Sequence, residues 1–142
     1  MKTFAKILCL SLVAVMLCAT LASCAPAAKA EDALAALKEN GYTTAVKSDL
    51  LGAAGLAALG IKGVDSVVTG TKTETKDDKT TVETITIIYF TDANSAKTAE
   101  EKVTSKSDEE KKNNKDEDSN WVFKRSGKMI YFGTKAAVKA AR

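Results

Sequence analysis

The chain lacks histidine altogether, and it has only three cysteines and one proline in 142 residues. Histidine is the side chain most used for proton transfer near neutral pH, so its absence removes the commonest general acid or base. A zinc or copper site is also not expected, because histidine and cysteine are the ligands those metals prefer. We therefore expect no enzymatic activity, no metal and no cofactor. Oxygen-ligated metals and carboxylate-based catalysis remain as alternatives.

The chain has no large excess of charge of either sign, with 21 Lys and Arg residues against 18 Asp and Glu residues. Nucleic-acid-binding domains carry a clustered positive charge, which this overall balance does not indicate. The composition therefore predicts no nucleic-acid partner.

An apolar run near the N-terminus is the clearest pattern that is present. Lys2 and Lys6 precede it, and residues 7–22 are almost without polarity. A positive start, an apolar stretch and small residues at its end are the three parts of a secretory signal peptide. The run has 16 residues, whereas a membrane-spanning helix needs about 20. Secretion is therefore favoured over an uncleaved membrane anchor or a buried helix of a cytosolic protein.

The apolar run ends in Leu21-Ala22-Ser23-Cys24, which resembles the lipobox of bacterial lipoproteins. The resemblance implies cleavage between Ser23 and Cys24 and a diacylglycerol group on the Cys24 thiol. It also implies a protein that is lipid-anchored at the cell membrane, on its extracytoplasmic face. Two acyl chains give stable anchoring, whereas one gives only marginal binding. A plain secretory signal with an incidental cysteine is the alternative.

The domain organisation follows from this signal. Residues 1–23 are the signal peptide, residues 24–30 a short tether, and residues 31–142 one domain. The signal contains two of the three cysteines and the lipid would occupy the third, so the domain has no disulfide. Residues 105–119 contain no aliphatic or aromatic side chain and many charges of both signs, which predicts a mobile loop.

Hydrophobic periodicity predicts an α+β fold, an antiparallel sheet of four to five strands packed with helices in the order α-β-β-β-α-β-β-α. The predicted helices cover residues 31–40, 93–106 and 134–142, and Asp92 and Thr134 cap the last two. The predicted strands cover residues 42–47, 64–71, 80–90 and the two halves of a hairpin, 121–132. Residues 49–61 are a small-residue apolar segment expected to pack as a helix or turn.

The aromatic residues of the hairpin give the best indication of a binding surface. A two-residue turn at Ser126-Gly127 would pair Phe123 with Ile130 and Trp121 with Phe132, all on one face. Val122, Met129 and Tyr131, with Ile88 or Phe90, would then lie on the opposite face. We favour a covering layer formed by residues 31–61; the alternative is an exposed apolar patch, a candidate binding face made of Val122, Met129, Tyr131 and Phe90.

No motif selects a catalytic or metal site. Asp116, Asp118 and Asn120 match the first three ligand positions of an EF-hand loop, but Trp121 and Gly127 stand where that loop needs Gly and Glu. We therefore expect a membrane-anchored, non-enzymatic binding or accessory module for an envelope protein, a cell-wall component or a small ligand. A structural or stress-related envelope lipoprotein without a ligand is the second hypothesis, and a carboxylate-based enzyme the third.

Overall fold

Five antiparallel strands form a single sheet in the computed structural model, which describes residues 25–47, 56–58, 60–111 and 120–142. The strands lie in the order β1-β2-β3-β5-β4. Their bounds are β1 Thr43–Lys47, β2 Val64–Lys76, β3 Lys79–Phe90, β4 Trp121–Ser126 and β5 Met129–Thr134. The predicted signal peptide, Cys24, most of the segment 49–61, and residues 112–119 of the predicted mobile loop 105–119 lie outside the described residues. Residues 105–111 of that predicted loop are helical instead.

Three helices of the described residues pack on the two faces of the sheet. They are α1 Ala30–Glu39, α2 Ala93–Lys111 and α3 Lys135–Ala140. α1 and α3 lie on one face and α2 lies on the other. The predicted α+β class, the antiparallel sheet and the order of elements are therefore confirmed.

Alternation along β3 divides the core between the two faces. Ile85, Ile87 and Tyr89 belong to the cluster under α1 and α3, whereas Ile88 and Phe90 belong to the cluster under α2. Successive side chains of a strand point to opposite faces, and an apolar strand end therefore supplies both layers at once. All five of these side chains are at least nine-tenths buried.

The N-terminus of α2 is fixed by Asp92, as the sequence predicts. Its Oδ1 accepts a hydrogen bond of 2.8 Å from the backbone N–H of Ser95. The hydrogen bonds from Ser95 hold the pKa of the Asp92 carboxyl below its usual range. α2 continues to Lys111, beyond the predicted end at residue 106. Glu and Lys have high helix propensity, so this part of the helix can form although it has no apolar face.

The β2–β3 hairpin is longer than the apolar pattern predicts. β2 and β3 pair as far as Lys76 and Lys79, and Asp77 and Asp78 both have positive φ, as in a type I′ turn. Threonine favours extended backbone even where it is exposed, which accounts for the extra length. β1 pairs only with residues 67–71 of β2, and β5 only with residues 85–89 of β3. Residues 72–83 therefore form a two-stranded arm beyond the rest of the sheet.

The β4–β5 hairpin has a different register from the one expected. Phe123 pairs with Phe132 rather than Ile130, and Trp121 pairs with Thr134 rather than Phe132. The turn is Gly127-Lys128, and φ is positive at Gly127 alone, the pattern of a type II′ turn. That turn requires glycine at its first central position, so the predicted Ser126-Gly127 turn is wrong. The shift is two residues, which leaves every side chain on its predicted face.

Residues 25–29 lie against the domain rather than extending from it as the expected tether. Pro26 is buried, and the N–H of Ala27 donates a 2.8 Å hydrogen bond to the carbonyl of Ala141. The hydroxyl of Tyr89 donates to the carbonyl oxygens of Ala27, at 2.8 Å, and of Lys29, at 3.3 Å. Burial raises the pKa of Tyr89 to about 12, so this hydroxyl keeps its proton. The chain is thus held in place from one residue after Cys24.

Candidate functional site

A groove of about 430 Å³ lies between strand β4, at the edge of the sheet, and helix α3. We call it the β4–α3 groove. Four consecutive residues of β4 line one side, and the α3 side is lined by residues at helical spacing. The lining residues are Trp121, Val122, Phe123, Lys124, Lys135, Val138 and Arg142.

Local hydrogen bonds fix α3 beside β4. The backbone N–H of Lys135 donates to the carbonyl of Asn120 at 2.9 Å, which joins the first residue of α3 to the residue before β4. Thr134 caps the helix, because its Oγ1 accepts from the N–H of Ala137 at 3.4 Å. Ala137 and Val138 are buried in the core. Val138 lies on the same side of this short helix as Lys135, and with Arg142 these residues form the wall of the groove.

The groove runs beside β4, the edge strand of the described sheet. Side chains of a strand alternate between its two faces, and four successive residues, 121–124, line the cavity, so it is lined by residues that belong to both faces of β4. Among the described residues, β4 pairs only with β5. An edge strand presents a row of backbone N–H and C=O groups that have no partner within the sheet. The groove therefore offers main-chain hydrogen-bonding groups as well as side chains.

Positive charge dominates the groove. Lys124, Lys135 and Arg142 line it, and no acidic side chain does. The ion pairs found in the described part of the chain involve other residues, Lys72 with Glu74 and Arg125 with Glu100. Within the part of the chain that the structure describes, the three cations of the groove take part in no ion pair.

Trp121 supplies an apolar surface at one end of the groove. Its side chain is 47% exposed, an unusual position for the one tryptophan of the chain. Exposed tryptophan beside basic residues is typical of recognition surfaces, where a large rigid ring contributes contact area and the charges give specificity. The groove thus combines an aromatic platform, three cations and an open strand edge.

The predicted binding face does not exist as one exposed surface. Val122, Met129 and Tyr131 share the face under α1 and α3, but Phe90 lies on the opposite face under α2. Phe90 is an even-numbered residue of β3, like Ile88, and so belongs with Ile130 rather than with Tyr131. Met129, Tyr131 and Phe90 are all at least nine-tenths buried. Of the four residues, Val122 alone lines the groove.

The expected covering layer is present in part. α1 and α3 cover the face that carries Met129 and Tyr131, with Ala33 and Leu37 of α1 fully buried against it. The prediction assigned this layer to residues 31–61, of which the described portion supplies α1. The contribution of α3 was not expected.

A second polar cluster lies at the base of the arm. The hydroxyl of Tyr42 donates to Glu83 Oε2, and Lys72 Nζ lies 2.7 Å from Glu74 Oε1 and 5.7 Å from the centre of the Tyr42 ring. Burial, and then the hydrogen bond to Glu83, raise the pKa of Tyr42 well above its usual range. A phenol with a raised pKa is a poor base or nucleophile at neutral pH. The cluster supports the base of the arm.

Neither a metal-ligand cluster nor a membrane-spanning helix occurs in the part of the chain that the structure describes. No set of three or more His, Cys, Asp and Glu side chains there is grouped as metal ligands would be. No helix there is both long and apolar enough to cross a bilayer.

Sequence reasoning missed the cations of the groove, although a signal was present. Residues 120–142 contain six Lys and Arg residues and no Asp or Glu. The balanced charge of the whole chain hides this segment, because residues 107–118 directly before it contain six Asp and Glu residues. A charge count by segment would have marked β4 and α3 as a basic surface.

Comparisons with known proteins give no guide to this site. No protein-family model matches the sequence, and no curated protein or solved structure matches it significantly.

Proposed function

We propose that this chain is an extracytoplasmic lipoprotein, held at the cell membrane by a lipid on Cys24, that acts as a non-enzymatic binding or accessory module. Its binding site is the β4–α3 groove, and its ligand or partner presents negative charge there. The observation that carries the binding role is a groove lined by exposed Trp121 and by three cations, Lys124, Lys135 and Arg142, which form no ion pair with the described residues.

The anchor is supported by the sequence Leu21-Ala22-Ser23-Cys24 after an apolar run. The packing of residues 25–29 adds a geometric consequence. Ala27 is hydrogen-bonded to Ala141, the neighbour of Arg142, and Cys24 is three residues from Ala27. Three residues of extended chain span at most about 11 Å. A lipid on Cys24 would thus hold the Arg142 end of the groove close to the membrane surface, where envelope partners are found.

The anchor is tested by metabolic labelling with palmitate. We expect the wild-type chain to be labelled and the Cys24→Ala variant to lose the label, because the thiol is the proposed attachment point. Cys18→Ala is the matched control, since Cys18 would leave with the signal peptide. Label that persists in Cys24→Ala contradicts the anchor.

The groove is tested by the fluorescence of Trp121, which reports on this site alone because the chain has no other tryptophan. The protein is the mature chain with Cys24→Ser, and the probes are short poly-glutamate and polyphosphate. We expect at least one probe to change the emission, and this effect to weaken as salt screens the charges.

Charge reversal locates the binding. Lys135→Glu should weaken it, whereas Lys97→Glu should not, because Lys97 is an exposed residue of α2 on the opposite face. An equal loss in both variants would mean that the probes respond to net charge, and a lack of response to either probe would exclude anion binding in the groove.

A further inference from the structure

No strand among the described residues pairs with the outer edge of β4, and this edge and the charge of the groove together indicate how a partner binds. We propose that the groove receives an acidic peptide segment in extended conformation, which adds to the sheet as a sixth strand beside β4. This inference rests on the proposed function and names the partner of the same site.

The main-chain part of the argument comes from the path of the groove. Residues 121–124, which belong to both faces of β4, line it in succession, and β4 is the edge strand of the described sheet, so a strand added there would run beside the groove. β4 has six residues and offers about 20 Å of edge. Peptides that add to a sheet edge gain affinity from main-chain hydrogen bonds and specificity from pockets for alternate side chains. The groove provides both at one place.

The side-chain part of the argument comes from the face of β4 that looks toward α3. Val122 lies on this face in the core cluster shared with Val138, and Lys124, two residues on, points the same way. Lys135 and Arg142 line the groove from the α3 side. Every second side chain of an added strand would point toward these three cations. Acidic residues at alternate positions would therefore be complementary to the groove.

The same charges disfavour a second copy of this chain as the occupant. Two β4 strands paired edge to edge in a register centred on residue 124 would bring Lys124 of each copy close to Lys124 of the other. Like charges on neighbouring strands are destabilising, and basic residues on edge strands commonly prevent self-association. An acidic partner strand meets no such barrier.

The experiment compares two synthetic peptides with the same charge. One has eight residues that alternate Glu and Val; in the other, the two central Val residues are replaced by Pro, which cannot donate a main-chain hydrogen bond and is poorly tolerated in strands. Polyphosphate is the third probe. Each is titrated against the mature Cys24→Ser chain and followed by Trp121 fluorescence. We expect the alternating peptide to bind at least about fivefold more tightly than the proline peptide, because proline is poorly tolerated in a strand and removes a main-chain hydrogen bond, worth about fivefold in affinity, wherever the replaced N–H faces β4.

Amide hydrogen exchange supplies a readout that simple charge attraction would not give. Alternate backbone amides within β4 should exchange more slowly when the alternating peptide is bound, because those N–H groups point away from β5. The amides of β1, at the other edge of the sheet, should not change. Lys124→Glu should weaken binding of the alternating peptide, and Lys97→Glu should leave it unchanged.

Each other result overturns the proposal in a distinct way. Equal affinity for the two peptides, without slower amide exchange in β4, would mean that the peptides bind by charge alone. That result would contradict the added strand but not the proposed anion-binding site. Binding of polyphosphate but of neither peptide would assign the groove to a phosphate-rich polymer instead. Failure of all three probes would remove the anionic site and the added strand together.

Discussion

Gly133 in β5 is the position where a single added methyl group should do most damage to the elements that build the groove. It pairs with Ile85 of β3 on one side and Val122 of β4 on the other. A Cβ atom at Gly133 would lie 2.2 Å from the carbonyl oxygen of Thr84 and 2.7 Å from the Cα of Ile85. Both are backbone atoms and cannot rotate away. Gly133→Ala must therefore push β5, with β4 and α3 attached to it, away from β3.

Two costs add at this position. Gly133 has φ of +157°, a conformation that residues with a side chain rarely adopt, and the strain is about 1–2 kcal/mol. Overpacking against fixed neighbours costs about 1–3 kcal/mol more. The total is about 2–5 kcal/mol, a large share of the roughly 5–15 kcal/mol by which such domains are stable.

Gly127 provides a matched control in the same hairpin. Its φ is +57°, so alanine is strained there as well, but nothing lies within 4 Å of an added Cβ. Gly127→Ala should cost only about 1 kcal/mol. The assay is urea unfolding of the mature Cys24→Ser chain, with the free energy of unfolding compared between the two variants. A Gly133→Ala variant that loses no more stability than Gly127→Ala would refute the reasoning from close approach.

Two further predictions concern the N-terminal segment and the start of α2. Tyr89→Phe removes the hydroxyl that donates to the carbonyl of Ala27, so we expect a loss of about 1–2 kcal/mol in urea unfolding and faster exchange of the Ala27 amide; unchanged exchange would mean that this bond does not hold the segment. The pKa of Asp92 is lower in the folded than in the unfolded chain, so its contribution to stability is complete above the usual Asp pKa of about 4 and is lost as the pH falls through the depressed value. The stability difference between wild type and Asp92→Asn should therefore shrink from about pH 6 to about pH 2, and a constant difference would contradict it.

Much of the fold could be predicted because local patterns and tertiary packing agree. The alternation in β3 assigns Ile85, Ile87 and Ile88 to the faces where the structure has them, and Asp92 marks the start of α2. The register of the β4–β5 hairpin could not be read in the same way, because Gly127 is compatible with two turn positions. The type II′ turn, which needs glycine first, decides between them.

The groove could not be predicted because it depends on the placement of α3 across the sheet. The sequence shows that Lys135 begins a helix, but it does not show that this helix lies beside β4. Nor does it show that Arg142, seven residues after Lys135, lines the same groove. The packing of residues 25–29 against the domain could not be predicted for the same reason, since it depends on contacts between distant parts of the chain. It depends on Tyr89, which is more than 60 positions away along the chain. Contacts between such distant positions leave no periodic signal in a single sequence.

Site-specific photo-crosslinking in intact cells tests the central claim most directly. A photoreactive residue would replace Lys135 in the groove or, as the control, Lys97 on the outer surface of α2, in the full-length chain with its signal and Cys24. The account predicts that one envelope partner is recovered from position 135 and not from position 97, and that the alternating Glu-Val peptide reduces its recovery in isolated membranes. Equal recovery from the two positions, or recovery from position 97 alone, would contradict the assignment of the β4–α3 groove as the binding site.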